Sequence, residues 1–165
     1  MAPADFEELC ELSYTRVAKA AFLILGDRQE ALDVAQEAFS RALERWEEVG
    51  SMENPEGWIY RVAVNLSLST RRRAVRWVKG RIPDRPALEP EPSDPALAQA
   101  LSRLTPAQRA AVVLRFYSDL SIADTALALN KRPGTVRALT AQGVSRLRDD
   151  LGPTWLEEHD EQPIP

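Results

Sequence analysis

The sequence predicts an all-α protein of two small helical domains joined by a proline-rich linker. Three observations carry that reading. Apolar residues recur at helical spacing throughout, and no segment sustains the period-two alternation of a strand. The stretch PDRPALEPEPSDP (83–95) holds five prolines and no apolar periodicity, the mark of a stiff, extended spacer. Residues 120–148, LSIADTALALNKRPGTVRALTAQGVSRLR, read as two short helices about a tight turn, a helix-turn-helix. The expected boundaries are a first domain over 1–82, a linker over 83–96, a second domain over 97–152 and an acidic tail over 153–165.

Each element has its own signal. In Asp5–Leu25, Phe6, Leu9, Val17, Ala21 and Leu25 follow helical intervals, and Gly26-Asp27 closes one helix and caps the next. A second helix over Glu30–Val49 lines up Leu32, Ala35, Phe39, Leu43 and Trp46 on one face and Asp33, Gln36, Glu37, Ser40 and Glu44 on the other. Gly50 to Pro55 punctuate a loop. A third helix over Pro55–Val78 passes through Trp58, Ile59, Val62, Leu66 and Leu68 and ends in Arg71, Arg72, Arg73, Arg76 and Lys79. Five cations in nine residues exceed what a helix dipole needs and suit phosphate contacts.

The second domain opens near Pro95. Thr105-Pro106-Ala107-Gln108 is a helix start with Thr as N-cap, Pro at the first position and Gln placed to bond back. Val112, Val113 and Phe116 supply the apolar face of that helix. Ser121 and Asp124 open the next, Ile122–Leu129. The recognition helix begins at Pro133-Gly134, burying Val136, Val144, Leu147 and Leu151 and turning Thr135, Ala138, Gln142 and Ser145 outward.

Composition excludes several classes. A single cysteine, Cys10, permits no internal disulfide, and one histidine, His159, far from it builds no metal site. No run of ~18 apolar residues is present, so no membrane span is expected, and the acidic start MAPADFEEL is wrong for a signal peptide. A cytoplasmic location follows as the expectation. The net charge of −4 conceals strong segregation. Residues 1–70 hold 6 basic and 13 acidic side chains, 71–86 hold 7 and 1, 87–100 hold 0 and 3, 101–148 hold 8 and 2, and 149–165 hold 0 and 6. Two basic footprints between acidic flanks are what a nucleic-acid-binding chain needs, whatever its sum.

Four phrases in order, AFLILGDRQEALDVAQEAF (21–39), WIYRVAVNLSL (58–68) followed by RRR, LTPAQRAAVVLRFYSDLS (104–121), and GTVR with SRLR near the end, resemble a known family. The chain is similar to the extracytoplasmic-function (group IV) sigma factors of bacterial RNA polymerase, and most of all to the small SigE-family branch. The resemblance covers both domains, as a region 2-like bundle and a region 4-like helix-turn-helix. It implies that Asp33, Gln36 and Glu37, with Ser40 and Glu44 on the same stripe, dock on the clamp helices of the polymerase's largest subunit. It also implies that Ser51, Met52, Glu53 and Asn54, with Arg61, Asn65, Arg71, Arg72, Arg73 and Arg76, engage the −10 element. An unpaired base needs such hydrogen-bonding groups and a stacking surface. Trp46 and Trp58 are alternatives for that surface, although their apolar faces favour a core role.

The resemblance further places the second domain on the flap tip of the second-largest subunit and the recognition helix at the −35 element, through Thr135, Arg137, Ala138, Gln142 and Arg146. Arg137 can clamp guanine or phosphate, and Gln142 can pair with adenine. The chain departs from the family's pattern here. After GTV the family has Lys-Ser, then Arg or Gln, with an Arg three positions on, whereas this chain has Arg137, Ala138, Leu139 and Gln142. Asn130 stands for the usual turn Gly, and Arg132 for a Ser cap worth ~1 kcal/mol, offset in part by Pro133. The linker acids Glu89, Glu91 and Asp94 suit a basic RNA channel of the polymerase, or a solvated spacer.

The function expected is that of an alternative sigma factor, with core RNA polymerase and promoter DNA as partners and an anti-sigma factor or other regulatory protein as a further candidate. Two alternatives stand: a sigma-like adaptor with weak −35 recognition, and a stand-alone helix-turn-helix regulator binding a palindrome as a dimer. An enzyme is not expected, since the chain has no Gly-rich phosphate loop and no nucleophile beside a base. No cofactor is expected either.

Overall fold

The architecture comes from a computed structural model. It describes the backbone of residues 5–78 and 94–159 and the side chains of residues 5–69 and 94–153. The described residues form α-helices with one π-helical turn and no strand. Contacts divide the chain into two compact units, Met1–Leu88 and Glu89–Pro165.

In the first unit, α1 (Phe6–Leu25), α2 (Arg28–Glu44) and α4 (Pro55–Val78) pack on one another, and the short α3 (Trp46–Val49) leads into the loop before α4. The caps are local chemistry. Asp5 accepts from the Glu7 N–H, Gly26 ends α1 at φ 76°, and the Asp27 carboxylate accepts from the Glu30 N–H at 2.8 Å. The core is rich in alanine: Ala18, Ala20 and Ala21 of α1 and Ala31, Ala35, Ala38 and Ala42 of α2 are buried together with Val17, Ile24, Phe39, Ile59, Tyr60 and Val64. Small residues let three backbones approach closely, and the buried apolar area drives their assembly. Phe6 stands edge-on to Trp46 at 5.3 Å and to Phe39 at 6.4 Å, and Arg16 reaches Glu56 at 3.2 Å to tie α1 to α4.

Two expectations change in this unit. The helix expected over Glu30–Val49 breaks at Arg45, whose φ of −114° and ψ of 26° separate α2 from α3. The buried face of α2 is also rotated from the one expected. It is centred on Ala31, Ala35, Ala38 and Ala42, which leaves Leu32 half-buried and Leu43 55% exposed. The alanines permit contact with both α1 and α4, so the core direction falls between the two neighbours and Leu43 lies beyond its edge.

The second unit contains α5 (Pro95–Ser102), α6 (Pro106–Val112) continuing as a π-helical turn (Val113–Tyr117), α7 (Ile122–Leu129) and α8 (Pro133–His159). Helix α5 starts inside the stretch expected to be linker, because Asp94 caps it by accepting from the Ala96 N–H at 2.9 Å. The rest of that stretch, with Glu89 and Glu91, lies outside the described residues. Thr105 and Gln108 form the reciprocal capping box. Ser121 caps α7, and Asn130 closes it in the left-handed region at φ 52°, with the Lys131 N–H returning to the Ala126 carbonyl.

Phe116, expected on the buried face, is 48% exposed. The π turn, closed by the Ser118 N–H on the Val113 carbonyl at 3.1 Å, slows the helical rotation and carries Phe116 off the face set by Val112 and Val113. In α8, Val136 is fully buried while Val144, Leu147 and Leu151 are only half-buried. The expected acidic tail is helical in backbone beyond a break at Gly152 (φ 76°), as far as His159, and residues 160–165 lie outside the described residues.

Helix α8 crosses α6 at Gly143. A β-carbon there would lie 2.6 Å from the Val112 Cγ2, whereas one at Gly134 would meet nothing within 4 Å. Gly143→Ala should therefore lower the unfolding free energy by roughly 1–3 kcal/mol despite alanine's better helix propensity. Gly134→Ala should be neutral or stabilising by up to about 1 kcal/mol. Thermal unfolding of the two variants checks the contrast.

Candidate functional site

Three surfaces gather the residues singled out in the sequence. The first is the polar stripe of α2, where Asp33, Gln36, Glu37, Ser40 and Glu44 are all exposed. Its carboxylates are not bare. Gln29 donates to Asp33 at 3.1 Å, and Arg41 donates to Glu37 at 2.8 Å, each one helical turn away. Leu43 shares a row with Gln36 and Ser40, giving the stripe an apolar member. Sequence reasoning missed Gln29, Arg41 and Leu43. The i,i+4 spacing of the first two pairs was the available signal.

The second surface is the loop between α3 and α4. The Trp46 ring lies over Gly50, where a β-carbon would stand 2.8 Å from its Cε2, so the loop turns directly against the indole. Ser51 donates its hydroxyl to the Glu48 carbonyl at 2.8 Å, and the Asn54 carboxamide oxygen accepts from the Gly57 N–H at 2.8 Å, capping α4. Ser51 and Asn54, two of the four loop residues expected at the −10 element, thus bond to the loop's own backbone. Glu53 is exposed and Met52 half-buried. Arg45, which the sequence did not single out, lies 5.6 Å above the Trp58 ring and pairs with Glu48 at 2.6 Å. Trp58, Arg61 and Asn65 form one row along α4, the last two exposed and Trp58 half-buried beneath its arginine. The side chains of Arg71, Arg72, Arg73 and Arg76 lie outside the described residues. Near the start of α1 is Cys10, where burial, and secondarily the charge of Glu7, push the thiol's pKa above its ordinary value.

The third surface is the outward side of α8. With Val136, Gly143 and Leu147 turned inward, helical geometry turns Ala138, Ala141 and Ser145 outward as a strip of small residues. Arginines flank it. On one side Arg137 and Arg148 join Arg115 of the π turn around a shallow cleft of about 340 Å³, floored by Ile122, Thr140 and Val144. Arg115 also donates to the Leu120 carbonyl. On the other side a groove is lined by Gln108, Ala141, Gln142, Ser145 and Arg146. There the Gln108 carboxamide nitrogen donates to the Gln142 oxygen at 3.2 Å. Thr135, Arg137, Ala138, Gln142 and Arg146 are all exposed, as expected. Leu139 is half-buried on the inward side and does not belong to the outward strip. The convergence of Arg115 and Arg148 on Arg137 was not visible in sequence, because it depends on the π turn.

Among the described residues no group of acidic, histidine and cysteine side chains is placed to hold a metal ion, and no helix is long and apolar enough to cross a membrane.

Both units match known proteins. The family model "Sigma-70 region 2" matches residues 9–78, and "Sigma-70, region 4" matches residues 95–147. The chain is 30% identical to the RNA polymerase sigma-E factor of Streptomyces coelicolor, covering 89% of this chain and 86% of that protein. It is 33% identical to the ECF RNA polymerase sigma factor SigE of Mycolicibacterium smegmatis, over 89% of this chain and 62% of the relative. In fold it is similar to the sigma factor RpoE of Bartonella quintana, crystallised with the anti-sigma factor NepR, at a TM-score of 0.75, 21% identity and coverage of 89% and 96%. Both regions are present in the family's order, and a relative at this identity spans nearly the whole chain. The chain belongs to the extracytoplasmic-function sigma factors of bacterial RNA polymerase.

Proposed function

We propose a division of labour among the three surfaces of an alternative sigma factor that directs promoter recognition and transcription initiation. The α2 stripe docks on core RNA polymerase, with Asp33, Gln36, Glu37, Ser40 and Glu44 facing a basic partner surface and Leu43 adding apolar contact. The loop 50–54 and the row Trp58, Arg61 and Asn65 engage the −10 element, with Arg71, Arg72, Arg73 and Arg76 on its phosphates. In the second unit, α8 enters the major groove at the −35 element along its strip of small residues. Arg137, with Arg115 and Arg148, grips the backbone, and Arg146 and Gln142 line the opposite wall. Bond making belongs to the polymerase.

The observation that carries this reading is the pairing of an exposed acidic stripe in one unit with a strip of small residues between arginines in the other. A stand-alone regulator gives the α2 stripe no purpose. An anti-sigma protein is the further partner proposed, by analogy with the complex that the Bartonella relative forms. The linker acids Glu89 and Glu91 are assigned to the polymerase's RNA channel, while Asp94 acts as the cap of α5.

Run-off transcription with core polymerase, with and without this protein, tests the reading directly. Initiation that depends on the protein supports it, and tight polymerase binding without initiation at any selected promoter would establish the adaptor instead. Asp33→Ala combined with Gln36→Ala should weaken core-polymerase binding with an unchanged helical circular dichroism spectrum, and unchanged capture of the polymerase removes the docking assignment. Arg137→Ala should weaken −35 duplex binding about equally across sequences and lower the slope of log affinity against log salt by roughly 1, the signature of a lost phosphate contact. A loss confined to one base pair, with the salt slope intact, would make Arg137 a base reader.

A further inference from the structure

Arg115, Arg137 and Arg148 converge on one cleft, and among the described residues none of the three has a carboxylate partner. The floor between them is apolar, set by Ile122 and Val144. Phosphates match the arginines of such a cleft but leave its floor without an apolar partner. A peptide with apolar side chains next to carboxylates matches both. The chain carries one just beyond the break in α8. Trp155 and Leu156 are followed by Glu157, Glu158, Asp160 and Glu161, with no Lys or Arg anywhere in 149–165. The backbone interrupts the helix between cleft and segment. Gly152 stands at φ 76° and ψ 167°, a conformation essentially reserved for glycine, and Pro153 has no N–H to extend the helical ladder.

We infer that residues 155–161 dock back onto the cleft of Arg115, Arg137 and Arg148, with Trp155 and Leu156 on its floor and the carboxylates against its arginines. The competition with DNA that follows rests on the proposed entry of α8 into the −35 major groove. Reach allows the contact. Counted along α8 from Gly152 at roughly 1.5 Å per residue, Arg148 lies about 6 Å back and Arg137 about 22 Å back. Residues 153–165 span about 30 Å with the helical run to His159 kept and the rest extended. A tether this short holds the segment at an effective concentration on the order of 1 mM, which favours it over the same segment of a second copy. At that concentration an intrinsic dissociation constant of about 0.1 mM keeps the cleft roughly nine-tenths filled. Only the open fraction binds a duplex, so the affinity of the free chain for the −35 element drops about tenfold.

The test uses the full chain, through methyl NMR and −35 duplex binding. Trp155→Ala should move the Ile122 and Val144 methyl resonances by removing the ring current of the indole. Those of Ile24 and Ile59, buried in the first unit, should stay in place. The change should be the same at every protein concentration. Trp155→Ala with Leu156→Ala alters no charge and should tighten duplex binding roughly fivefold to tenfold. Glu157→Gln, Glu158→Gln, Asp160→Asn and Glu161→Gln combined should tighten it about tenfold. Unmoved Ile122 and Val144 resonances overturn the inference. A gain in affinity confined to the charge-neutralised variant overturns it as well, since general repulsion of DNA then suffices. Resonances that move with protein concentration assign the contact to a second copy and overturn it too. Absence of −35 duplex binding in every variant removes the −35 reading and the competition, while the methyl resonances decide the docking by themselves.

Discussion

The Val112 methyl group occupies the place where residue 143 would carry a β-carbon, and the whole outward surface of α8 depends on that contact. A helix has one rotational degree of freedom about its axis, and the crossing removes it. With Gly143 held against Val112 and Val136 sealed in the core, the small residues Ala138, Ala141 and Ser145 have only one direction to face. The same crossing brings Gln108 within reach of Gln142. The packing of α8 and the hydrogen bond between Gln108 and Gln142 thus accompany one close approach.

Signals confined to a few neighbouring residues were legible in the sequence. The Thr105–Gln108 box, the Ser121 cap and the left-handed turn at Asn130 each need only three or four residues to form, and each is present. The family phrases marked both units for the same reason, being contiguous. Contacts fixed by packing between helices were not legible. Nothing local distinguishes Leu43 from Phe39, because burial depends on where α1 and α4 lie around α2. Phe116 sits at a helical interval from Val112 and Val113, and only the wider π turn takes it off their face. Arg115 escaped notice through the same turn. Gln142 is exposed as expected, yet its hydrogen bond to Gln108, thirty-four positions earlier, could not be read from the sequence.

The first unit solves a different problem. Its alanines allow three helices to pack closely around Ile24, Ile59 and Tyr60, and Phe6, Phe39 and Trp46 meet at one end. That aromatic end lies directly beside the loop. The Trp46 indole lies against Gly50, and Asn54 and Ser51 bond to the backbone on either side. A loop braced in this way loses little conformational entropy when it meets a ligand, since most of its ordering cost is met in folding.

The pairing of Asp33 with Gln29 and of Glu37 with Arg41 along α2 has a consequence for association. Each of these two carboxylates already has a donor, which a partner docking there as proposed would displace. Glu37 alone of the two is paired with a cation, while Asp33 keeps its charge beside the neutral Gln29, so the proposed docking would be in part an exchange of ion-pair partners. The contact with phosphates proposed for Arg115, Arg137 and Arg148, which line one cleft, would release condensed counterions and so weaken steeply with salt. Under the proposed assignments the promoter contact is the more salt-sensitive of the two.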